Sequence, residues 1–365
     1  MAVTPRLLLD HDRLLANLER LDAVLAGRGV DLRPHLKTAK AAEVAALATR
    51  NWSGAVTVST LEEAEAFAAA GCTDLLYAVG CTEAKLPRLA ALAAAGARVG
   101  IIVDDAGLAD RIAARIAAEG MALAVHVELD VDGHRSGVDP DGDALLTIAA
   151  ALARHGVPVA GVMTHAGESY ACRDAVALRR AAAAERDGAV RAAGRLRAAG
   201  HACPAVSVGS TPTAFAGIDL AGITEIRAGV YMFMDLTMAA IGVCTPDDVA
   251  LAVLATVIGQ QPARNQLIID AGWMALSQDR GADAMGFGVL RDDPHSDLFV
   301  ARLNQEQGII TSRSGAPIDF AAFPVGRELA ILPNHACATA AQFSGYDVVG
   351  SGVAAGTRWQ RLAQR

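Results

Sequence analysis

Short apolar segments alternate with longer Ala-rich amphipathic segments over about the first 240 residues of the chain. The short segments have the length and composition of buried strands, and the longer ones have the periodicity of helices. Strands are predicted at Leu7–Leu9, Leu32–Leu36, Ala55–Val58, Leu75–Val79, Val99–Val103, Val125–Leu129, Val159–Thr164, Val206–Val208 and Glu225–Arg227. Helices are predicted at Asp12–Ala26, Lys40–Arg50, Leu61–Ala70, Leu86–Ala95, Ala144–Arg154 and Ala175–Ala199. Repeated units of this kind favour a parallel sheet, and about eight of them favour closure into a (β/α)8 TIM barrel.

The pattern changes after about residue 245. The segments Ala250–Ile258, Gln266–Ile269 and Glu328–Leu332 are rich in β-branched residues, and no Ala-rich helix separates them. Such segments are typical of a β-rich domain. The sequence therefore predicts an α/β chain of two domains, a barrel at residues 1–244 and a C-terminal β-rich domain at residues 245–365.

Composition narrows the class of protein. A chain of 365 residues with 53% apolar residues can bury a large core. Its formal charge of -8 carries no basic cluster, which argues against nucleic acid or a membrane surface as a partner. No apolar run approaches the roughly 20 residues of a spanning helix, and the first residues lack the features of a secretory signal. Six scattered cysteines indicate reduced thiols. A cytoplasmic protein is expected.

Chemically distinctive residues follow the predicted barrel strands. Lys37 comes after the second strand, Arg135 after the sixth and His165 after the seventh. Because the carboxyl ends of barrel strands meet at one face, these side chains are expected at one site. A lysine there can form a Schiff base with pyridoxal phosphate, although taken alone it is more often a solvated surface residue. Arg135 suits a phenolate oxygen but also suits a plain polar loop.

Two neighbouring turns suit a phosphate group. Gly209, Ser210 and Thr211 follow the eighth strand, and the segment containing Ala228 and Gly229 follows the next one. Glycines, hydroxyls and adjacent backbone N–H groups bind phosphate monoesters well. Such turns are also common connectors, so the pairing of two adjacent turns is the stronger signal.

His335 and Cys337 form a second chemical pair, near the C-terminus. If the segment is an extended strand, residues at i and i+2 point to the same face and both side chains reach one metal ion. Two ligands fall short of the four of a structural zinc site and leave coordination positions open, as catalytic sites do. A buried pair without metal is the alternative.

These motifs resemble the alanine-racemase-like (fold-type III) pyridoxal phosphate enzymes of the D-serine dehydratase-like and D-threonine aldolase group. The resemblance covers nearly the whole chain. It rests on RPHLKTAK, VSTLEEAE, DGHRSGV, THAGESY, VSVGSTPTA, TEIRAGVYMFMD, IDAGWMALSQDRG and LPNHACATAAQF. Where the group commonly has Glu-His-Gly, this chain has Glu306-Gln307-Gly308.

The resemblance implies a role for each of these residues. Lys37 would carry the cofactor and remove the Cα proton, with Arg135 near the phenolate, Tyr170 near the ring and His165 also in the catalytic site. The phosphate and ring would be surrounded by Gly209, Ser210, Thr211, Ala228, Gly229 and Tyr231. His335 and Cys337 would bind Zn2+. A homodimer is also implied.

The expected activity is elimination of water from a β-hydroxy-D-amino acid to give a keto acid and ammonia. The enzymatic alternative is a retro-aldol D-threonine aldolase, which in this group usually has aspartate in place of Cys337 and uses Mn2+ or Mg2+. A racemase is less favoured, because racemisation needs no metal. A non-catalytic cofactor carrier would resemble the barrel alone and would lack the β-rich domain.

Overall fold

The computed structural model describes residues 3–281, 285–293 and 297–362. Met1 and Ala2, at the start of the segment examined for a secretory signal, lie outside the described residues. The strands are β1 Arg6–Asp10, β2 Asp31–Leu32, β3 Val56–Val58, β4 Asp74–Tyr77, β5 Arg98–Val103, β6 Leu123–Leu129, β7 Val159–Thr164, β8 Ala205–Val208, β9 Glu225–Ile226, β10 Leu251–Gln261, β11 Gln266–Ile269, β12 Val289–Leu290, β13 Leu298–Leu303, β14 Gly308–Ser312, β15 Glu328–Leu332, β16 Gly345–Val349 and β17 Arg358–Gln360. The α-helices are α1 His11–Leu25, α2 Ala42–Thr49, α3 Leu61–Ala69, α4 Leu86–Ala94, α5 Ala106–Glu119, α6 Ala144–Arg154, α7 Ala175–Ala198, α8 Thr211–Ala214, α9 Leu236–Ala240, α10 Trp273–Leu276 and α11 Ala336–Ala340.

The chain forms two compact units. One comprises residues 21–229, and the other comprises the described residues between 3 and 20 and between 230 and 362. We refer to them as the barrel unit and the β unit. The boundary between residues 244 and 245 that the sequence suggests for the domains stays a prediction.

The barrel unit contains eight parallel strands in the order β2-β9-β8-β7-β6-β5-β4-β3. After β2 ends, the chain continues to form backbone hydrogen bonds with β9 on one side and with β3 on the other. The Thr57 N–H donates to the Pro34 carbonyl at 2.9 Å, and the Leu36 N–H donates to the Thr57 carbonyl at 2.9 Å. These bonds join the two ends of the sheet and close it. The predicted (β/α)8 barrel is confirmed, and Lys37 directly follows the closing bonds.

Helix α5 shows why the helices of this unit form where they do. The Asp105 side chain accepts a hydrogen bond from the Leu108 N–H and caps the first turn, and Gly120 ends the helix in the left-handed conformation at φ 62°. Its buried residues are Ala109, Ile112, Ala113 and Ile116. That spacing of three and four residues gives one apolar face.

The first strand of the chain differs from its prediction. Sequence analysis counted Leu7–Leu9 among the barrel strands, but β1 pairs antiparallel with β10 and parallel with β16 in the β unit. That part of the prediction was wrong. A short apolar run such as Leu7-Leu8-Leu9 can identify a strand but does not say which sheet the strand joins.

The β unit contains a nine-stranded, mostly antiparallel sheet in the order β11-β14-β13-β12-β15-β10-β1-β16-β17. An additional pairing of β10 with β11 closes six of these strands into a ring. The predicted β-rich C-terminal region is therefore confirmed. Strand β15 ends at Leu332, which places the Pro333-Asn334-His335 segment at the rim of the ring.

Among the described helices, we find none that combines the length and the apolar character needed to cross a membrane.

Candidate active site

Lys37 is the best-placed lysine for covalent binding of a cofactor. The chain contains only three lysines, Lys37, Lys40 and Lys85. Lys40 is ion-paired with the buried Glu63 carboxylate at 3.1 Å, and the Lys85 amine donates to the Gly80 carbonyl at 2.7 Å. Lys37 is exposed and lies at the carboxyl end of the barrel, where the sequence predicts it.

Three cations surround two histidines at this end of the barrel. The positive charges of Lys37, Arg135 and Arg227 all lower the pKa of both His35 and His165. Burial is the larger cause in each case, and together these effects lower the pKa of His165 to about 3. Both rings are therefore neutral near pH 7. The structure thus brings together the predicted residues Lys37, Arg135 and His165, and their field favours an anionic ligand.

His165 has a defined orientation. Its Nδ1 lies 3.0 Å from the Gly209 carbonyl oxygen, so the Nδ1–H donates to that oxygen and Nε2 remains an acceptor. The Tyr170 ring lies beside it, with 6.2 Å between ring centroids. The hydrogen bond to Gly209 joins the loop after β7 to the loop after β8.

Arg227 is a residue to which sequence analysis assigned no role, although it lies within the quoted TEIRAGVYMFMD motif. It is 3% exposed, and burial lowers its pKa to about 10. Its guanidinium donates to the Ser207 hydroxyl and to the Thr164 carbonyl, which fixes it between β7 and β8. The motif was the signal for this position, but only the packing shows that the cation is enclosed in the barrel.

Glu185 is a second residue that sequence analysis missed. It lies on α7 and is 1% exposed. One of its oxygens accepts hydrogen bonds from the Ala166 N–H at 2.9 Å and the Gly209 N–H at 3.1 Å. Burial raises the pKa of this carboxyl group. A single buried side chain thus fixes the two loops that carry His165 and the predicted phosphate turn.

The predicted phosphate turn is shaped by a close approach of backbone to backbone. Gly209 has φ +135°, and a Cβ built there would lie 2.3 Å from the Arg227 carbonyl oxygen. At Gly229, a Cβ would lie 2.9 Å from the His35 carbonyl oxygen. The Ser210 hydroxyl accepts from the Thr213 N–H at 3.2 Å and so stabilises the turn. Ser210, Thr211 and Ala228 are buried around it.

We expect Gly209→Ala to lose most cofactor binding and to destabilise the barrel unit. The substitution places a side chain in a backbone conformation that alanine rarely adopts and against the Arg227 backbone, at a cost of at least about 2 kcal/mol. Gly217→Ala is the matched control, since it also has a positive φ, +69°, but no atom within 4 Å of the new methyl group. Thermal melting and cofactor titration of both variants measure the difference. Equal behaviour of the two would contradict the assignment of the turn.

Two observations test whether these residues fit pyridoxal phosphate. The cofactor is an anion with a reactive aldehyde, and the exposed Lys37 amine lies among cations. The buried Thr164 hydroxyl and His35 Nδ1 have no hydrogen-bond partner within the part of the chain that the structure describes. Buried polar atoms without partners are uncommon, and they mark positions where a polar ligand adds hydrogen bonds. The residues fit the cofactor.

The predicted metal ligands lie in the β unit with a geometry different from the one expected. His335 is the extended residue before α11, and Cys337 lies in the first turn of that helix. The pair does not lie in an extended strand, because β15 ends at Leu332 as predicted and α11 begins at Ala336. The two side chains are nevertheless in contact, and a hydrogen bond that the protonated imidazole donates to the Cys337 sulfur raises the pKa of His335 to about 9.

A third polar side chain contacts His335. Its Nδ1 lies 2.6 Å from the Asp279 Oδ2. Across residues 3–281, 285–293 and 297–362, no group of three or more His, Cys, Asp or Glu side chains has the arrangement of a metal site. An imidazole and a thiol in contact fit a soft divalent ion such as Zn2+, and a pair of protein ligands leaves positions open for a substrate.

Tyr231, a further predicted cofactor contact, is fully buried in the β unit. Gln307, which replaces the usual histidine of the group, is exposed in the turn between β13 and β14. Its backbone carbonyl accepts from the Asn304 N–H at 2.8 Å.

A parallel barrel with a lysine at its carboxyl end and a β-rich second unit define an alanine-racemase-like protein. Residues 9–237 match the family model of the alanine racemase N-terminal domain, and residues 250–349 match that of the putative serine dehydratase domain. The chain belongs to this family.

Relatives with named activities are similar to this chain over nearly its whole length. D-threo-3-hydroxyaspartate dehydratase of Delftia sp. (strain HT23) is 47% identical over 98% of this chain and 97% of its own. Its solved structure has a TM-score of 0.94, covering 99% of this chain and 98% of that one. A cysteine-to-alanine variant of the same enzyme is described as metal-free. D-threonine aldolase of Arthrobacter sp. is 32% identical over 96% of this chain and 90% of its own. D-serine dehydratase of Dictyostelium discoideum is 29% identical over 95% and 93%.

Proposed function

We propose that this chain is a dehydratase that depends on pyridoxal phosphate and a metal ion and removes water from a β-hydroxy-D-amino acid. We further propose D-threo-3-hydroxyaspartate as the favoured substrate. The observation that carries the proposal is the presence of two chemical sites in one chain, a lysine among cations and a histidine–thiol pair. The similarity to the Delftia dehydratase over almost the full length supports it.

The barrel unit supplies the groups that act at Cα. Bound at Lys37, pyridoxal phosphate withdraws electrons and so makes the Cα proton of an amino acid acidic. Lys37 would hold the cofactor and would also be the base that takes this proton. Arg135 and Arg227 stabilise the negative charge of the bound groups, and the neutral His165 presents Nε2 as an acceptor. Burial of Arg227 strengthens its electrostatic effect, because little water screens it.

The β unit supplies the groups that hold the metal. A zinc ion is a Lewis acid, and it makes a coordinated hydroxyl a better leaving group. His335 and Cys337 would bind this ion and leave positions for substrate oxygens. A second carboxylate, as in 3-hydroxyaspartate, can chelate the ion together with the β-hydroxyl, whereas D-serine lacks that carboxylate.

A D-threonine aldolase is the competing function, and Cys337 is the observation that weighs against it. Thiolate is a soft ligand that favours zinc, whereas an aldolase that uses Mn2+ or Mg2+ is better served by the harder aspartate.

Product analysis distinguishes the proposed dehydratase from the competing aldolase. With D-threo-3-hydroxyaspartate, D-serine and D-threonine at matched zinc concentration, we expect keto acid and ammonia as main products, with D-threo-3-hydroxyaspartate turned over fastest. Glycine together with an aldehyde or glyoxylate as main products would replace the dehydratase by an aldolase. Cys337→Asp is expected to shift the metal preference toward Mn2+, and an unchanged preference would show that ligand softness is not the cause.

The homodimer and the cytoplasmic location stay predictions from the family resemblance and the sequence.

A further inference from the structure

Asp279 lies against the proposed metal ligand His335, with 2.6 Å between its Oδ2 and the imidazole Nδ1. We propose that Asp279 is a positioning residue that fixes the tautomer and the ring orientation of His335, so that the metal is bound through Nε2. This inference rests on the proposed function, because it concerns the same metal site.

The loop that carries Asp279 is anchored on the His335 segment. Asn334, which is 2% exposed, donates through its side-chain amide to the Asp279 carbonyl at 3.0 Å and to the Gly286 carbonyl at 2.8 Å. Gly281 approaches the same amide so closely that a Cβ there would lie 2.5 Å from the Asn334 Oδ1. The Asp279 carboxylate is therefore held opposite the residue that follows Asn334 in the chain.

The His335 segment is anchored from its other side as well. Asp235 is 1% exposed, and its carboxylate accepts from the Ala336 N–H at 3.0 Å and from the Met238 N–H at 2.9 Å. The Thr237 hydroxyl donates to the Asn334 carbonyl at 2.7 Å. Both partners of the Asp279–His335 contact are thus attached to buried groups, which makes the contact a fixed feature of this fold.

The contact with Asp279 determines which imidazole nitrogen of His335 is available to bind a metal. A neutral histidine that binds a metal carries one N–H and one lone pair on its two nitrogens. If Nδ1–H donates to Asp279, the lone pair is on Nε2 and the ring cannot rotate without losing the hydrogen bond. A carboxylate in this position also makes the ligating nitrogen more basic, and loss of such partners typically weakens metal binding by about 10–100-fold.

The contact has little to contribute to folding. The side chains of His335 and Asp279 are 44% and 49% exposed, and ion pairs this accessible to water contribute little to stability. An effect of Asp279 on metal binding is therefore separable from an effect on the fold.

Zinc titration of the cofactor-loaded protein against a competing chromophoric chelator tests the inference. We expect Asp279→Ala to bind zinc about 10–100-fold more weakly than wild type, with an unchanged melting temperature for the metal-free protein. Asp279→Asn keeps an acceptor for Nδ1–H but removes the charge, so an intermediate affinity is expected. The matched control is Asp297→Ala, which removes another hydrogen-bonded carboxylate of the β unit, a half-buried one that accepts from the Ser314 N–H at 3.0 Å. Its zinc affinity should equal that of wild type.

A second readout identifies the ligating nitrogen. In protein labelled with 15N-histidine, zinc should shift the Nε2 resonance of His335 and not the Nδ1 resonance as a ligand would. In Asp279→Ala, this preference for Nε2 over Nδ1 should be smaller. Wild-type zinc affinity in Asp279→Ala, or coordination of wild type through Nδ1, would overturn the inference. If wild type itself binds no zinc, the metal part of the proposed function fails instead, so the two failures are distinguishable.

Discussion

Lys37→Ala is expected to lower kcat by at least about 10^3-fold while leaving the fold intact, because the change removes the residue proposed as both the covalent attachment point of the cofactor and the base at Cα. Lys37 is exposed, and its loss creates no cavity in the core. Some cofactor should still bind non-covalently through the cations around His165. Steady-state kinetics, the absorbance of the bound cofactor and thermal melting measure these three effects.

The attachment point itself is checked by borohydride reduction followed by mass spectrometry. With three lysines in the chain, an adduct on Lys40 or Lys85 in place of Lys37 would refute the assignment. Lys85→Ala is the matched control, since Lys85 lies in the same unit and its amine contacts only the Gly80 carbonyl and the face of Tyr77 among the described interactions. Full activity is expected for this variant.

Removal of the metal is expected to abolish dehydration without unfolding the protein, and added zinc should restore the activity. The fold does not depend on the ion, because the β unit is closed by strand pairing and its buried residues include Val253, Leu267, Ile310 and Ile331. His335 and Cys337 are only half-buried, so a metal ion bound to them adds little to the stability that this core provides. The melting temperature of chelated protein should therefore stay within about 4 °C of the metal-loaded value, a shift equivalent to about 1 kcal/mol in a unit of this size.

His335→Ala removes one of the proposed metal ligands, so its effects should match those of chelation. It should lose dehydration and zinc binding and keep the melting temperature of the chelated wild type. Cooperative unfolding on chelation would show that the metal is structural. Full activity without metal would remove the Lewis acid from the proposed function.

Much of the fold was predictable because it depends on local pattern. The apolar segments at Val125–Leu129 and Val159–Thr164 became β6 and β7 of the barrel almost unchanged. The assignment of Leu7–Leu9 to the barrel failed, since β1 has the same local pattern but pairs with β10, more than 240 positions away. A few neighbouring residues determine whether a segment forms a strand, whereas the strand with which it pairs depends on how the whole chain folds.

The available chemical groups were evident from the sequence: a lysine after a barrel strand, Lys37, glycine turns after barrel strands, and His335 with Cys337 near the C-terminus. Motifs of this kind can be recognised because function constrains neighbouring residues. Which groups contact one another became clear only from the folded chain. Glu185 reaches the Gly209 turn across 24 positions, and Asp279 reaches His335 across 56. Neither carboxylate differs in its local sequence from a solvated surface residue. The role of Glu185 comes from its burial, and both roles depend on hydrogen bonds that form when distant segments pack.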